Sequence, residues 1–322
     1  MISKQPVLTI AIPTYNRKDF LKECLDHVIP QVDDDIEVIV CDNASEDGTY
    51  EFMEEVCNKY NFIRYIKNEK NIGPDGNFLK CLREGEGKFI HILSDDDILL
   101  DRSINKIKEC ILNCEEISFI YLNSTGFEGD FELSKCKKSV LDLNEDMYFE
   151  NKNLFIEYIG IYATFISAMI FNKDLFRCID NPEQYLDTYL FQTHILFKLI
   201  SMKGKILVIS KSCIAARGGN GGGYNLYKVF AYYWKKVLFD TGLKSGFSNQ
   251  TLKKVYGNTI KIFLRNWTIH MKISNTKYDS TGYGLVFRET YKYPAAWLYL
   301  YPFIIMPSSI IYILKKIHKK VK

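Results

Sequence analysis

Three consecutive acidic residues are the most informative chemical feature of the sequence. Asp95, Asp96 and Asp97 follow Ser94 directly after an apolar run over residues 89–93. Adjacent carboxylates repel one another, and a divalent cation relieves that repulsion. Oxygen ligands suit Mn²⁺ or Mg²⁺ better than zinc, and a cation held there could stabilise a diphosphate as a leaving group. The alternative is a solvated acidic turn that caps the following helix.

Polar residues also follow two earlier apolar runs. In the segment PTYNR (13–17), small polar groups can face a nucleotide and Arg17 can pair with phosphate oxygens. Asp42 ends the second run, and its carboxylate could accept hydrogen bonds from a base or a ribose. The alternative for both places is helix capping. Residues 71–73 (NIG) predict a turn before a third helix, in which Gly73 permits close backbone approach.

The elements that carry these residues alternate between strand and helix. Short β-rich apolar runs predict strands over 7–12, 36–41, 62–66, 89–93 and 118–122. Apolar residues at helical spacing predict helices within 20–28, 52–60, 78–82 and 104–112. This alternation, with short connections, predicts a mostly parallel α/β sheet flanked by helices. Because ligands bind beyond the carboxyl ends of such strands, the polar loops are expected to meet in one crevice.

Four segments, taken together, resemble the family 2 glycosyltransferases of GT-A fold. They occur in the family's order and approximate spacing, cover about residues 5–120, and read VLTIAIPTYNR (7–17), IEVIVCDNASEDGT (36–49), NEKNIGPDGNFLKCL (68–82) and GKFIHILSDDDIL (87–99). The resemblance implies a nucleotide-sugar-binding domain merged with an acceptor region. It also implies transfer of a sugar from a nucleotide diphosphate to a hydroxyl group, mostly with inversion.

The resemblance assigns roles to individual residues. Pro13, Tyr15 and Asp42 are expected to contact the nucleoside. Within the acidic motif, Asp97 is the first metal ligand, and Asp95 or Asp96 lies nearer the ribose. Asp95 is also the second metal candidate, and the cation is Mn²⁺ or Mg²⁺. The complete set predicted for the donor nucleotide is Pro13, Tyr15, Arg17, Asp42, Asn71, Asp95, Asp96 and Arg217.

The catalytic base is harder to assign. Family members often place a Glu-Asp pair at the start of a helix in the acceptor region, and its Asp deprotonates the acceptor hydroxyl. The matching helix, predicted within 186–200, carries residues 192–193 (QT) there instead. Asp187, near the predicted start, is the first candidate. His194 is the second because of its near-neutral intrinsic pKa, with a packed or capping histidine as the alternative, and Glu183 is the third.

Arg217 opens a glycine-dense loop over 218–223. This feature resembles a subgroup of bacterial surface-polysaccharide enzymes, the abequosyltransferase-like group. The loop could close over the diphosphate with its backbone N–H groups, or it could simply link to the C-terminal helices. The predicted domains are a donor half (1–122), an acceptor half (123–225) and a helical region (226–322).

The C-terminal segment combines apolar and basic character. Residues 294–314 are uncharged, and five Lys follow within 315–322. Proline and serine residues interrupt the apolar part, which is nearly long enough to span a bilayer. A single span conflicts with the positive-inside rule for a cytoplasmic catalytic domain. We therefore predict a membrane-surface anchor over 294–322, and the alternative is packing on the body or in a homo-oligomer.

Composition narrows the class and location. The 322 residues carry 42 Lys and Arg against 39 Asp and Glu. A formal charge of +3 indicates no strong positive potential that would attract nucleic acid. The nine Cys form no CxxC or zinc pattern, which favours buried thiols in a reducing compartment, and no signal peptide is recognisable. Aromatic residues, at 14%, suit a sugar cleft or simply an aromatic core.

These features together predict a peripheral enzyme on the cytoplasmic face of a bacterial inner membrane. Its acceptor would be a glycan, most plausibly lipid-linked. The alternative is a nucleotide-sugar-binding or scaffold protein that has lost catalysis, for which the missing Glu-Asp pair is the argument. A nicotinamide oxidoreductase is disfavoured because no GxGxxG follows the first strand.

Overall fold

The protein is described by a computed structural model that covers residues 5–219, 224–273 and 282–321, with side chains as far as Lys316. Its described part divides into two compact units, bounded by 1–152 with 164–219, and by 153–163 with 220–322. The first unit thus holds most of both predicted halves, 1–122 and 123–225. The split of donor and acceptor roles between those halves stays a prediction.

A nine-stranded sheet forms the centre of the first unit. Its strands are β1 (Leu8–Thr14), β2 (Ile36–Asp42), β3 (Ile63–Lys67), β4 (Phe89–Ile92), β5 (Ile98–Leu99), β6 (Ile117–Phe127), β7 (Met147–Phe149), β8 (Met169–Asn172) and β9 (Lys205–Arg217). The order is β3-β2-β1-β4-β8-β6-β9-β5, with β7 also on β9. Strands β1 to β4 pair in parallel, and β8 pairs antiparallel with both β4 and β6.

Strand directions confirm the predicted fold class. Because β8 is antiparallel to β4 and to β6, and β9 is parallel to β6, six strands run one way and β5, β7 and β8 run the other. Every residue of β1 and β2 is buried. Such continuously apolar strands are typical of the parallel centre of a sheet that is covered on both faces.

Helices connect the strands in the expected order. Those in the first 200 residues are α1 (Lys18–Val28), α2 (Thr49–Lys59), α3 (Gly73–Glu84), α4 (Ser103–Asn113), α5 (Lys152–Ile159), α6 (Lys173–Arg177) and α7 (Phe191–Leu199). Helix α1 shows why they form: Leu21, Cys24, Leu25 and Val28 recur at helical spacing and are all buried. Except for α5, which lies almost entirely in the second unit, these helices belong to the first unit.

The helix predicted within 186–200 needs a correction, since it begins only at Phe191. Before it lie a 3₁₀ turn (Pro182–Tyr185) and a loop in which Asp187 and Tyr189 have positive φ angles of 61° and 57°. The apolar spacing was compatible with a longer helix. Hydrogen bonds from the loop's N–H groups to the carboxylate of Asp75 take the place of helical ones.

The second unit is helical, as predicted for the C-terminal region. Its later helices are α8 (Trp234–Lys236), α9 (Asn249–Asn258), α10 (Arg265–Ile273), α11 (Tyr283–Thr290), α12 (Tyr301–Ile305) and α13 (Ser308–Val321), with π-helical turns at Lys228–Tyr233, Val237–Gly242, Thr259–Leu264 and Ala296–Leu300. Trp234 and Tyr256 are fully buried, and their polar atoms donate to Thr259 Oγ1 (3.0 Å) and the Ala231 carbonyl (2.7 Å). Many of the aromatic residues therefore build a core.

The C-terminal segment is broken rather than straight. No helix within the described ranges is by itself long and apolar enough to cross a membrane. The pair Ala296–Ile305 and Ser308–Lys316 meets that criterion only when taken together, and it bends by 112° at the break. Pro307 lies at this break, where a proline cannot donate the backbone hydrogen bond that would continue a helix.

Candidate functional site

The loops that follow β1, β2 and β4 meet at one edge of the sheet. Thr14, the last residue of β1, donates from Oγ1 to Asp95 Oδ2 at 2.7 Å. Its carbonyl accepts from the N–H of Asn43 in the loop after β2 (2.9 Å). The predicted convergence of polar strand-end loops is thus present in the fold, and it results from the parallel pairing of these strands.

The acidic motif is largely withdrawn from solvent. Asp95 and Asp97 are only 3% and 4% exposed. Burial raises the pKa of the Asp95 carboxyl to about 7, although the charge of Arg17 opposes that rise. Burial and then the charge of Asp96 raise the pKa of Asp97 to about 7 as well. Arg17 Nη1 lies 3.2 Å from both Asp95 Oδ1 and Asp96 Oδ2, so a cationic group already balances part of the charge.

Asp97 is held by two donors from elsewhere in the chain. Ser167 Oγ donates to its Oδ2 at 2.6 Å, and the N–H of Arg217 donates to its Oδ1 at 3.0 Å. Ser167 is itself fixed, since its Oγ accepts from the N–H of Ser94 (3.0 Å) and its carbonyl accepts from His91 Nε2 (2.7 Å). Sequence reasoning missed Ser167, because only the pairing of β8 with β4 brings residue 167 beside the motif.

The donor set fits a hard divalent cation, although it is small. In the parts of the chain that the structure describes, no group of three or more His, Cys, Asp or Glu is arranged around a common metal position. Asp95 and Asp97 supply two buried carboxylates whose charges raise each other's cost of ionisation. Magnesium is commonly bound by one or two carboxylates, with water and substrate phosphates completing its shell. Such a pair is therefore sufficient when a diphosphate is bound.

The predicted nucleoside contacts lie in different environments. Asp42 is fully buried, and its carboxylate accepts from the Ser45 N–H (2.9 Å), from Ser45 Oγ and from the Tyr65 hydroxyl (both 2.5 Å). These contacts shape the loop after β2, and they differ from the helix-capping alternative because α2 begins only at Thr49, without a side-chain cap. Pro13 is buried within β1, whereas the Tyr15 ring is exposed. Of these three residues, Tyr15 is the one available to a ligand, and their nucleoside roles stay predictions.

Asn43 joins the loop after β2 to the turn that precedes α3. Its Nδ2 donates to Asn71 Oδ1 (2.9 Å) and to the Gly73 carbonyl (3.2 Å). Its Oδ1 accepts from Asn68 Nδ2 (3.0 Å) and from the Ile72 N–H (2.9 Å). Gly73 has a φ of 77°, a conformation that favours glycine. The predicted Asn71 contact with the donor therefore depends on Asn43, which sequence reasoning overlooked beside Asp42.

Arg217 directs its guanidinium to protein groups. Nη2 lies 2.5 Å from Glu23 Oε2, and Nε donates to the Asp96 carbonyl at 3.1 Å. The guanidinium also lies over the Phe127 ring, 4.5 Å from its centroid. These contacts support a role in positioning the acidic motif, while phosphate binding by Arg217 stays a prediction. Residues 220–223 of the glycine-dense loop lie outside the described residues.

Asp187 is the accessible acidic candidate for the base. It is exposed and lies four residues before α7, in the left-handed conformation noted above. The next two residues donate their N–H groups to Asp75 Oδ2, Thr188 at 2.8 Å and Tyr189 at 2.9 Å. Asp75 is buried and was not singled out from the sequence. In the sequence, Asp75 has the appearance of an ordinary solvated acid in the first turn of a helix. Only its contact with a loop more than 100 residues away distinguishes it.

The other two candidates are already engaged by protein groups. His194 is buried and stacks on the Tyr185 ring, with centroids 4.7 Å apart, which matches the packed-histidine alternative. Glu183 forms an ion pair with Arg83, and this hydrogen bond lowers the pKa of its carboxyl. Gln192, at the expected place of the acidic pair, is buried and donates to the Thr164 carbonyl at 2.9 Å. Solvent access therefore favours Asp187 over His194, and the ion pair with Arg83 disfavours Glu183.

Comparison with known proteins identifies the family. The model of glycosyl transferase family 2 matches residues 9–179. The abequosyltransferase RfbV of Salmonella typhimurium is 32% identical over 225 residues, which cover 66% of this chain and 67% of that protein. WfaP of Escherichia coli, a UDP-Glc:alpha-D-GlcNAc-diphosphoundecaprenol beta-1,3-glucosyltransferase, is 29% identical over 203 residues, which cover 63% and 75% of the two chains.

Solved structures agree on the fold. TarS of S. aureus in complex with UDP superposes with a TM-score of 0.61 at 18% identity, covering 83% of this chain and 75% of that one. A mannosyltransferase from Pyrobaculum calidifontis, in complex with GDP-Man and Mn²⁺, gives a TM-score of 0.51 at 16% identity, covering 79% and 69%. With the family match, the strand-end acidic motif and the sheet order, the chain belongs to glycosyl transferase family 2 and has the GT-A fold.

Proposed function

We propose that this glycosyltransferase moves a sugar from a nucleotide diphosphate, with inversion, to a hydroxyl of a lipid-linked glycan in bacterial surface-polysaccharide assembly. The observation that carries the proposal is the meeting of Asp95, Asp97 and Arg17 with the loop after β2 at one sheet edge. The activities of RfbV and WfaP support the substrate class, since both transfer sugars in bacteria and WfaP acts on a diphosphoundecaprenol acceptor.

The donor side of the mechanism depends on charge. Asp97 and Asp95 would hold Mn²⁺ or Mg²⁺, which supplies Lewis-acid stabilisation of the departing diphosphate. Arg17 contacts two of the motif's carboxylates and is the nearest protein cation to them. With a cation held by these carboxylates, the Arg17 guanidinium would be available to phosphate oxygens. Tyr15 presents an exposed ring on which a nucleobase can stack.

The acceptor side requires a base with access to solvent. In the proposed step, the Asp187 carboxylate takes the proton of the acceptor hydroxyl as that oxygen bonds to the anomeric carbon. The bond between the anomeric carbon and the diphosphate oxygen breaks at the same time, and the nucleoside diphosphate leaves. A single displacement of this kind inverts the configuration at the anomeric carbon.

The deciding experiment separates binding from catalysis. A thermal-shift panel of nucleoside diphosphates, with and without Mn²⁺, identifies the donor base, because a ligand that binds only the folded state raises Tm. The matching nucleotide sugar is then incubated with a polyprenyl-diphosphate-linked glycan, and product is followed by mass spectrometry. We expect transfer that requires Mn²⁺ or Mg²⁺. Nucleotide binding without transfer or donor hydrolysis would favour the inactive scaffold, the alternative suggested by Gln192 and Thr193.

We also propose that the C-terminal segment rests on the cytoplasmic membrane surface. Trp297, Ile305 and Ile313 expose more than half of their surface, with Ile305 at 81%, and Lys315 and Lys316 follow on α13. Exposed apolar groups beside lysines are typical of interfacial anchors. The same segment also packs on its own unit, because Leu300, Tyr301 and Ile311 are buried. The exposed residues thus support the predicted membrane-surface anchor, and the buried residues support the alternative of packing on the body.

Liposome sedimentation tests the anchor in the full-length protein, because truncation before Pro294 would remove buried residues. Binding to anionic vesicles should weaken with salt, since each lysine near the surface adds about 1 kcal/mol that salt screens. Replacing Lys315, Lys316, Lys319, Lys320 and Lys322 with Gln should remove most of that dependence; the side chains of the last three lie outside the described residues.

Two exposed lysines of the first unit, Lys135 and Lys203, provide the control that is matched in charge to a variant with only Lys315 and Lys316 replaced. Their replacement by Gln should leave vesicle binding unaltered. If the full-length protein does not bind vesicles and Ile313→Ser changes the oligomeric state, the exposed apolar surface of the segment is a homo-oligomer contact. The membrane proposal is then wrong.

A further inference from the structure

Helix α3 contacts both the donor side and the acceptor side of the site. At its start, the Asn71–Gly73 turn is bound by Asn43 from the loop after β2. In its first turn, the carboxylate of Asp75 binds the loop that follows Asp187. All of these residues belong to the first unit, so the contacts lie within one compact body.

Asp75 recognises backbone groups of the loop. It is 4% exposed, and its Oδ2 accepts from the N–H groups of Thr188 (2.8 Å) and Tyr189 (2.9 Å), while Oδ1 lies 3.5 Å from the N–H of Phe191. Every one of these partners is a donor. A carboxylate satisfies them because it is acceptor-only, whereas an Asn amide would turn an NH₂ group towards at least one N–H.

The bound loop holds Tyr189 in a conformation that a tyrosine does not favour. Asp187 and Tyr189 both lie in the left-handed region, with φ angles of 61° and 57°. Residues other than glycine, asparagine and aspartate rarely adopt it, and such conformations persist where the surroundings hold them, often at functional sites. Tyr189 is such a residue, and Asp75 binds its N–H group as well as that of Thr188 before it.

We infer that Asp75 is a positioning residue that holds the loop over 187–191 so that the Asp187 carboxylate meets the acceptor hydroxyl. This inference rests on the proposed function, because it assigns Asp187 as the base. Asp75 does not touch the reacting atoms and acts only through the loop. A second contact from α3, the ion pair of Arg83 with Glu183, fixes the chain before the loop. The helix therefore links the donor-side turn to the placement of the base.

The test uses Asp75→Asn in the full-length protein. Hydrogen exchange at the amides of Thr188 and Tyr189 should become faster, because the uncharged amide oxygen is a weaker acceptor than the carboxylate and the amide NH₂ group faces at least one of the loop's N–H groups. Transfer should show a kcat lower by roughly 10- to 100-fold, the effect of a misplaced catalytic group, with donor Kd within about twofold. Asp174→Asn is the matched control: Asp174 is also in the first turn of a helix, but it is exposed and pairs with Arg177.

A double variant shows whether Asp75 acts through Asp187. If it does, Asp75→Asn should cost little more in the Asp187→Asn background, since the two residues form one unit. Asp75→Glu keeps the carboxylate and should restore part of the amide protection and turnover. It also serves as the readout should Asp75→Asn not fold.

Specific outcomes would overturn the inference. Unchanged exchange at Thr188 and Tyr189 in Asp75→Asn would show that the carboxylate does not hold the loop. An undiminished loss of kcat on top of Asp187→Asn would show that Asp75 acts elsewhere. Normal turnover by Asp187→Asn would remove the base and the positioning role together, while leaving the glycosyltransferase intact. If the wild type transfers no sugar at all, the proposed function fails, and amide exchange alone still decides whether Asp75 holds the loop.

Discussion

The two sides of the candidate site hold their carboxylates in opposite ways. On the donor side, Asp95 and Asp97 are buried and accept hydrogen bonds directly from Thr14, Arg17 and Ser167. On the acceptor side, Asp187 is exposed, and the hydrogen bonds of Asp75 reach its neighbours rather than its own side chain. The contrast corresponds to two tasks, because a metal ligand must be preformed whereas a base must be reached by a second substrate.

Each arrangement has a different cost. Burial disfavours the ionised form of Asp95 and Asp97, so the protein without a cation carries an unfavourable charge at neutral pH. A bound divalent cation would offset that cost, so the burial of the two carboxylates would contribute to metal affinity. On the acceptor side the cost is backbone strain, about 1–2 kcal/mol for the left-handed Tyr189. The donor side should therefore respond to metal and pH, and the acceptor side to loop geometry.

The largest effect is expected from the donor side. Asp97→Asn removes a buried ionic oxygen while keeping the shape and the hydrogen bond to Ser167. We expect kcat/KM to fall on the order of 10³-fold or more, equivalent to about 4 kcal/mol of transition-state stabilisation. Isothermal titration with Mn²⁺ and nucleoside diphosphate should show the loss of metal-dependent binding, with far-ultraviolet circular dichroism unchanged. Full turnover by this variant would contradict the metal assignment.

A loss that leaves donor binding intact is expected from the acceptor side. Asp187→Asn should lower transfer by a factor on the order of 10² to 10⁴, the range for removal of a general base, without changing donor Kd. His194→Ala is the comparison, and its main effect should be on stability because the ring is buried against Tyr185. Transfer rates and thermal melting of both variants are measured in parallel. If His194→Ala loses transfer and Asp187→Asn does not, His194 is the base.

A smaller effect should follow removal of the donor to Asp97. Ser167→Ala leaves Asp97 Oδ2 without its 2.6 Å partner. Partners of metal ligands typically contribute 10- to 100-fold in metal affinity, so Mn²⁺ affinity should fall by about that factor. Ser118→Ala is the matched control, since Ser118 is equally buried but donates to the Lys205 carbonyl. Mn²⁺ titration followed by electron paramagnetic resonance measures the Mn²⁺ affinity of both variants. Equal losses of affinity would mean that Ser167 contributes only to packing.

The pH dependence also separates the two sides. The folded pKa values of Asp95 and Asp97, about 7, exceed the ordinary value of 3.8. The folded state therefore binds more protons between about pH 4 and 7, and the metal-free protein should lose stability as pH rises through that window. Mn²⁺ affinity should rise over the same range by up to about tenfold per pH unit for each proton displaced.

Thermal melting from pH 5 to 8, with and without Mn²⁺, measures this dependence. Asp187→Asn is measured beside the wild type as the acceptor-side variant. Asp97→Asn should flatten the profile. A profile unaffected by Asp97→Asn would mean that burial of this carboxylate does not govern stability in that range.

Local pattern was sufficient for the first 122 residues of the fold. Periodicity placed β1 to β4 and α1 to α4 because most of them bury apolar residues at regular spacing, as β1 and α1 do. The same reasoning failed at 186–190, where Leu186 and Leu190 have helical spacing but the chain forms a loop. There, a distant carboxylate offers the backbone better partners than the helix would.

By itself, the sequence determined the family, the α/β fold, the order of the parallel strands' polar loops and the acidic motif, because these depend on residues that are close in the chain. Only the tertiary structure decided which partners those residues have. Ser167 donates a hydrogen bond to Asp97 across 70 residues, and Arg217 donates one to Glu23 across 194 residues. Asp75 accepts a hydrogen bond from Thr188 across 113 residues. Hydrogen bonds over such distances leave no local pattern, since they depend on strand pairing and helix packing rather than on spacing along the chain.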